Sequence, residues 1–166
     1  MSSDIAKIES PLSELEIEAI DLFISFMKLV GLPKSVGEIY GLLFVSESPL
    51  NSDEITEHLQ ISSGAASQGL KILRAFGAVR AVYMPGDRRD HFVADLDLST
   101  FAMAFLNDEL KPRLENAAER IQRMENLVEA MDLQKREGAS QRIERLKHWT
   151  DRGRKMMPWI QKFFVK

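Results

Sequence analysis

The sequence predicts a mainly α (α+β) fold in which helices carry one small sheet, and three observations support this. Residues 62–77 have helix-ending residues on both sides. Short segments of alternating polarity flank a Pro-Gly-Asp turn directly after them. Apolar residues recur at three- and four-residue steps before and after this centre. With 166 residues, 45% of them hydrophobic, the chain can bury one substantial core, or a small domain with a helical extension.

The first helix is expected over 12–30. Ser13 and Glu16 stand at capping-box spacing, each able to satisfy a backbone N–H that the first turn leaves open, and Gly31 offers a left-handed stop. Leu12, Leu15, Ala19, Leu22, Phe23, Phe26, Met27 and Val30 fill more than one stripe, so this helix is expected to contact both its own domain and another subunit. A short helix follows through Asp53–Leu59, capped by Asn51 or Ser52, with Ile55 and Leu59 turned inward four residues apart. A three-residue turn, Gln60 to Ser62, leads into the next helix.

That helix has Ser62 to accept an open backbone N–H at its start and Gly77 to close its end. Ala66, Leu70 and Leu73 form an inward stripe, which turns Gly64, Gln68, Lys71 and Ala75 outward, with Ala65, Ser67 and Arg74 flanking. So small and polar a face suits close approach to a DNA major groove, where Ser, Gln and Lys supply partners for base edges and phosphates. Two helices joined by so short a turn form the unit in which the second reads DNA and the first braces it, although a plain helical hairpin has the same pattern.

Val79–Met84 and His91–Ala94 alternate around Pro85-Gly86-Asp87-Arg88-Arg89-Asp90, which has the turn residues of a β-hairpin. This hairpin is a wing. The expectation is therefore a winged helix-turn-helix with a three-stranded wing sheet plus N- and C-terminal dimerisation helices. Two adjacent arginines at a hairpin tip repel each other, whereas beside a DNA backbone they donate to phosphates or enter the minor groove. Local neutralisation by Asp87 and Asp90 is the structural alternative. Ser63, Gly64, Ala65, Ser67, Gln68, Lys71, Arg74, Arg88 and Arg89 are the candidate DNA-binding residues.

A second long helix is expected from about Ser99, kinked or broken at Pro112, which lacks a backbone donor and crowds the preceding turn. Leu114, Ala117, Ile121, Met124, Val128 and Met131 then keep the spacing of a helix-pair seam, too short for an independent coiled coil. Gly138 is expected to end this helix. A last one carries Ile143, Leu146, Trp149, Met156, Ile160 and Phe163, interrupted by Gly153 and Pro158. The expected organisation is an N-terminal dimerisation helix over 1–32, a DNA-binding domain over 33–98 and a C-terminal helical dimerisation region over 99–166.

The formal net charge of −3 is unevenly spread. Residues 62–94 hold five basic groups against two acidic, a net +3, while 1–61 hold three against eleven, a net −8. Local field rather than total charge governs docking, and the positive charge lies where DNA is expected. Residues 135–166 hold ten basic groups against three acidic, a net +7 that suits a solvated face, a partner for an acidic patch, or further DNA contact.

Other classes fit poorly. With no cysteine there is no disulfide, thiol nucleophile or thiolate metal site. His58, His91 and His148 have no ligand spacing, and Ser62-Ser63-Gly64 lacks the glycine pattern and the Lys-Ser/Thr ending of a phosphate loop. No nucleophile pairs with a base, so no enzyme activity, metal or cofactor is expected. The start, Met1-Ser2-Ser3-Asp4, has neither a basic region nor an apolar signal core, and Asp21, Ser25 and Lys28 interrupt the densest apolar run. A cytoplasmic protein with no membrane segment is expected.

Residues about 32–95 resemble the winged helix-turn-helix of the MarR superfamily, especially its GbsR branch. The matching pieces are Gly31-Leu32-Pro33-Lys34-Ser35 with Gly37, Ile39 and Gly41, then Ser62, Gly64, Ser67, Leu70, Leu73 and Gly77, and the wing Pro85-Gly86-Asp87-Arg88-Arg89-Asp90-His91-Phe92. Ser63, Ala65 and Phe76 stand where that branch has Lys, Asn and Trp, so a different operator is expected. The resemblance implies a sequence-specific double-stranded DNA-binding transcriptional regulator, a homodimeric repressor on a pseudo-palindromic operator, acting in osmoprotectant uptake or choline metabolism. It also implies a small-molecule effector such as choline or glycine betaine. Aromatic faces attract quaternary ammonium groups, which makes Phe23, Phe26, Tyr40, Trp149 and Trp159 candidate effector-binding residues, although aromatic residues at helical spacing also serve as core. The rival from another class is a winged-helix protein–protein interaction module without specific DNA binding, with the acidic N-terminal helix and the C-terminal helices as its surfaces.

Overall fold

The computed structural model describes residues 12–164; residues 1–11 of the expected N-terminal region, with the Met1–Asp4 start, and residues 165–166 lie outside the described residues. Helix α1 (Glu14–Leu29) begins at Ser13, whose hydroxyl accepts the Glu16 amide at 3.3 Å while the Glu16 carboxylate accepts the Ser13 amide at 2.7 Å. It stops at Gly31, φ +76°, where the Leu32 amide donates back to the Met27 carbonyl at 2.8 Å. Helix α2 (Lys34–Val45) is apolar on almost every side and buried to match, with Val36, Ile39 and Leu42 fully covered. The two helices approach closely because α2 presents Gly37 and Gly41 to α1. A Cβ on Gly41 would stand 2.6 Å from Ile20 Cα, and one on Gly37 2.6 Å from Ile24 Cα.

Asn51 ends strand β1 (Leu50–Asn51) and caps helix α3 (Ser52–Leu59). Its side-chain oxygen accepts the Asp53 and Glu54 amides at 2.9 and 3.1 Å, and Glu54 returns a carboxylate to the Asn51 amide at 2.7 Å. Of the two caps that the sequence allows, Asn51 is the one used. After a left-handed Gln60, φ 53°, the turn leads to helix α4 (Ser63–Ala75), capped by the Ser62 hydroxyl on the Ala65 amide at 3.2 Å. Gly77, φ +67°, closes it, with the Ala78 amide donating to the Leu73 carbonyl at 2.8 Å. The expected inward stripe of Ala66, Leu70 and Leu73 is buried.

Strands β2 (Val79–Val82) and β3 (His91–Ala94) pair antiparallel, and β1 pairs with the other edge of β3, Asn51 opposite His91. The sheet order is β1-β3-β2. The winged helix-turn-helix and its three-stranded sheet are thus present.

The chain divides into two compact units between Leu98 and Ser99. Helix α5 (Leu98–Phe105) runs into a π-helical turn, Leu106–Leu110, and then helix α6 (Lys111–Glu129). Pro112 falls in the first turn of α6, so the interruption expected there takes the form of a widened turn just before it, closed by the Lys111 amide on the Leu106 carbonyl. Gly138 does not end a helix, contrary to expectation: helix α7 runs Leu133–Phe164 straight through Gly138, Gly153 and Pro158. The break comes earlier because the Asp132 carbonyl accepts the Lys135 and Arg136 amides and starts a new helix, inside which one exposed glycine costs only about 1 kcal/mol. Helix α6 packs on α7 with Ile121 and Val128 buried, whereas Met124 and Met131 of the same seam stay exposed.

The glycine contact is testable. Gly41→Ala drives a methyl into the α1 backbone and is expected to destabilise the first unit by about 1–3 kcal/mol. Gly138→Ala, with nothing within 4 Å, is expected to stabilise by up to ~1 kcal/mol. Thermal melts of the two variants should move in opposite directions; equal shifts would refute the packing account.

Candidate nucleic-acid interface

Burial of Ala66, Leu70 and Leu73 sets the rotation of α4, and the expected outer residues follow from it. Ser63, Gly64, Ser67, Gln68, Lys71, Arg74 and Ala75 are exposed and Ala65 is half-covered. Ser67, Lys71, Arg74 and Ala75 border an open groove of ≈ 530 Å³ with Ser52 from the start of α3 and Phe92 from β3. Lys71 and Arg74 have no ion-pair partner among the described residues. A concave strip with two unpaired cations, two hydroxyls and an apolar floor matches the mix of phosphate, sugar and base-edge contacts that a duplex offers.

The wing treats its two arginines differently. The turn closes through the Asp87 amide on the Met84 carbonyl at 3.2 Å, with Gly86 at φ +87°. Asp87 accepts the Arg89 amide at 3.0 Å, its Nε at 3.0 Å and its Nη2 at 2.5 Å, and Arg89 Nη1 reaches Asp53 on α3 at 3.5 Å. These hydrogen bonds from the Arg89 side chain and amide hold the Asp87 carboxyl well below the usual carboxylate range and push the Arg89 guanidinium further up. The buried His91 sits behind, Nδ1 3.0 Å from the Arg89 carbonyl and Nε2 3.6 Å from Asp87. Arg88 is exposed and has no partner among the described residues.

The structure therefore gathers Ser67, Lys71 and Arg74 on one groove and sets Arg88 and Arg89 on the hairpin. Sequence reasoning missed Ser52, Phe92 and Asp53. Asp53 and Arg89 stand 36 positions apart, and only the folded chain brings them together.

The five aromatic candidates divide. Phe23 and Tyr40 are buried and meet edge to face, ring centroids 4.7 Å apart. The Tyr40 hydroxyl donates to the Asp95 carbonyl at 2.6 Å, and burial, with Asp95 and Asp97 adding, pushes its pKa up to about 12. Phe26 is half-exposed. Trp149 and Trp159, in the second unit, are 70% and 75% exposed, with Arg152 5.9 Å from one ring centre and Lys162 5.6 Å from the other. Among the described residues no group of three or more His, Cys, Asp or Glu could hold a metal ion, and no helix is long and apolar enough to cross a membrane.

No family model matches the chain. Over 86 residues it is 34% identical to the HTH-type transcriptional repressor GbsR of Bacillus subtilis (strain 168), a stretch covering 52% of this chain and 47% of that protein. The chain thus spans about half the length of the curated relative it matches. A crystal structure of a transcriptional regulator aligns with a TM-score of 0.59 over 90% of this chain and 95% of that one, at 16% identity, and so shares its fold. The resemblance to GbsR that the motifs carry is borne out by the first match, and the fold by the second.

Tyr40 supplies a pH test. Its folded pKa of about 12 lies above the ordinary 10.0, so the stability it contributes is full below pH 10 and lost as the pH rises through 12. Tyr40→Phe removes the bond to Asp95 and is expected to cost about 1–2 kcal/mol at neutral pH. Urea unfolding at several pH values should then show a smaller alkaline loss in the variant than in the wild type.

Proposed function

We propose that the chain is a sequence-specific double-stranded DNA-binding transcriptional regulator, a homodimeric repressor on a pseudo-palindromic operator. One observation carries the reading: α4 buries one stripe and presents Gly64, Ser67, Gln68 and Lys71 outward, small and polar, in a fold that also has an arginine-bearing wing. The similarity to a protein described as an HTH-type transcriptional repressor supports the same class. Ser63, Gly64, Ala65, Ser67, Gln68, Lys71 and Arg74 read the major groove and its phosphates in this scheme, and Arg88 and Arg89 reach the flanking minor groove.

Dimerisation is supported by apolar surface left open on both units. Leu15, Leu22, Phe26 and Leu29 line the outer side of α1, and Leu127, Leu133, Trp149, Trp159 and Phe163 stand out from α6 and α7, large apolar side chains that a second subunit would cover. A two-fold pair would set two α4 helices in successive major grooves, about 34–36 Å apart, and repress by occlusion.

Small-molecule control, with choline or glycine betaine as the ligand class, completes the proposal. Exposed rings for a quaternary ammonium exist at Phe26, and at Trp149 and Trp159 where a ligand would compete with Arg152 and Lys162, whereas the rings of Phe23 and Tyr40 are covered. Such a ligand releases DNA only by preferring one helix separation over another. Isothermal titration with both compounds tests the class; an absence of heat removes it.

Selection of bound fragments from random duplexes tests the main reading, and an enriched pseudo-palindrome is expected. If each subunit engages about three phosphates, affinity should fall on the order of a thousandfold between 50 and 200 mM salt. Arg88→Glu with Arg89→Glu should weaken operator binding on the order of a hundredfold or more while sedimentation still reports a dimer. No enriched sequence and no duplex retained at low salt would instead favour the protein-interaction module.

A further inference from the structure

We propose that the second unit carries a binding site for a small organic anion with an apolar body, in the pocket between α6 and α7. The pocket measures ≈ 460 Å³, within the range of small-molecule sites. Leu114 from α6 and Met157 and Pro158 from α7 give it an apolar floor. Its rim is charged: Lys111, Arg154 and Lys155 against Glu115 and Asp151. Arg154 lies 3.8 Å from Asp151, which leaves Lys111 and Lys155 with no ion-pair partner among the described residues. Two ammonium groups bordering one apolar-floored hollow match a carboxylate or phosphate joined to a hydrocarbon body.

The helix irregularities in this unit point to the same place. Lys111 directly follows the π-helical turn, and such turns re-aim the side chains around them, frequently at functional sites. Pro158 lies inside α7 and has no N–H to offer the Arg154 carbonyl four residues back, so the regular helix ladder is interrupted beside the floor. Gln161 lines the pocket as well, and its amide donates to Asn107 of the π-helical turn at 2.7 Å, tying the widened turn to the C-terminal part of α7. Simple packing of two helices requires neither the widened turn nor an internal proline. The basic excess over 135–166 also acquires a local role, because Arg154 and Lys155 belong to it.

Hexanoate is the probe for the test and hexylammonium its oppositely charged control, both titrated calorimetrically into the full chain while fluorescence of a Trp149→Phe background reports Trp159, next to Pro158. Hexanoate should bind saturably at one site per chain, and hexylammonium about tenfold more weakly or not at all. Lys111→Glu with Lys155→Glu, both exposed side chains, should weaken hexanoate about tenfold or more at an unchanged melting temperature, whereas Glu115→Gln should tighten it. The proposal is overturned if hexanoate gives no saturable response, if both probes bind alike, or if the double variant binds as the wild type does. No DNA enters the test, so its failure is separate from a failure of the DNA-binding reading.

Discussion

Every element of the first unit is arranged around one constraint, the need to cover α2. Its side chains are apolar on nearly every side, and water cannot be allowed at any of them without losing about 1.5–3 kcal/mol per large residue. Helix α1 covers one side through the glycine contact at Gly37 and Gly41. On another side α4 comes so close that a Cβ on Gly69 would meet the end of Ile39 at 2.5 Å. Beyond β3, the Tyr40 hydroxyl reaches the Asp95 carbonyl and anchors the chain as it leaves the sheet. Helix α4 is thereby denied any rotational freedom. Turning it by one residue would expose Leu70 and bury Lys71 without a counterion, two penalties of the same sign. What α4 offers to solvent is decided by what α2 requires on its other side.

This explains which features were legible in the sequence. Ser13 with Glu16, Ser62 with Gly77, and the stripe of Ala66, Leu70 and Leu73 are local signals, because caps and amphipathic faces act within four or five residues, and each was readable at its position. The hairpin was readable for the same reason. Strand β1 was not: two residues cannot show alternation, and Leu50–Asn51 becomes a strand only because β3 has an open edge. The end of the helix before Gly138 was misplaced because an exposed glycine only weakens a helix, whereas the capping carbonyl of Asp132 decides where one starts. Among the candidate site residues, the exposure of the α4 face was legible, but Ser52 and Phe92 on the same groove, and Asp53 under the wing, were not, since only tertiary packing relates them.

The distribution of charge divides the interface into two ranges. The wing tip, Asp87 to Asp90, is neutral by itself, and Asp53 beneath it adds a negative charge. The net positive charge of residues 62–94 therefore comes from Lys71, Arg74 and Arg80, on α4 and β2, and these would attract a polyanion from a distance. In the proposed complex the wing would contribute at close range instead. Arg89 is already held by Asp87 and Asp53, so moving it onto a phosphate exchanges one anionic partner for another and releases little; its existing bonds order the hairpin before anything binds. Arg88 has no such partner to give up, so a phosphate or a narrow minor groove is a pure addition to its interactions. In the proposed complex two neighbouring arginines of identical chemistry would divide the work, Arg89 keeping the hairpin in shape as it approaches and Arg88 meeting the duplex first, a division set by which of them Asp87 reaches.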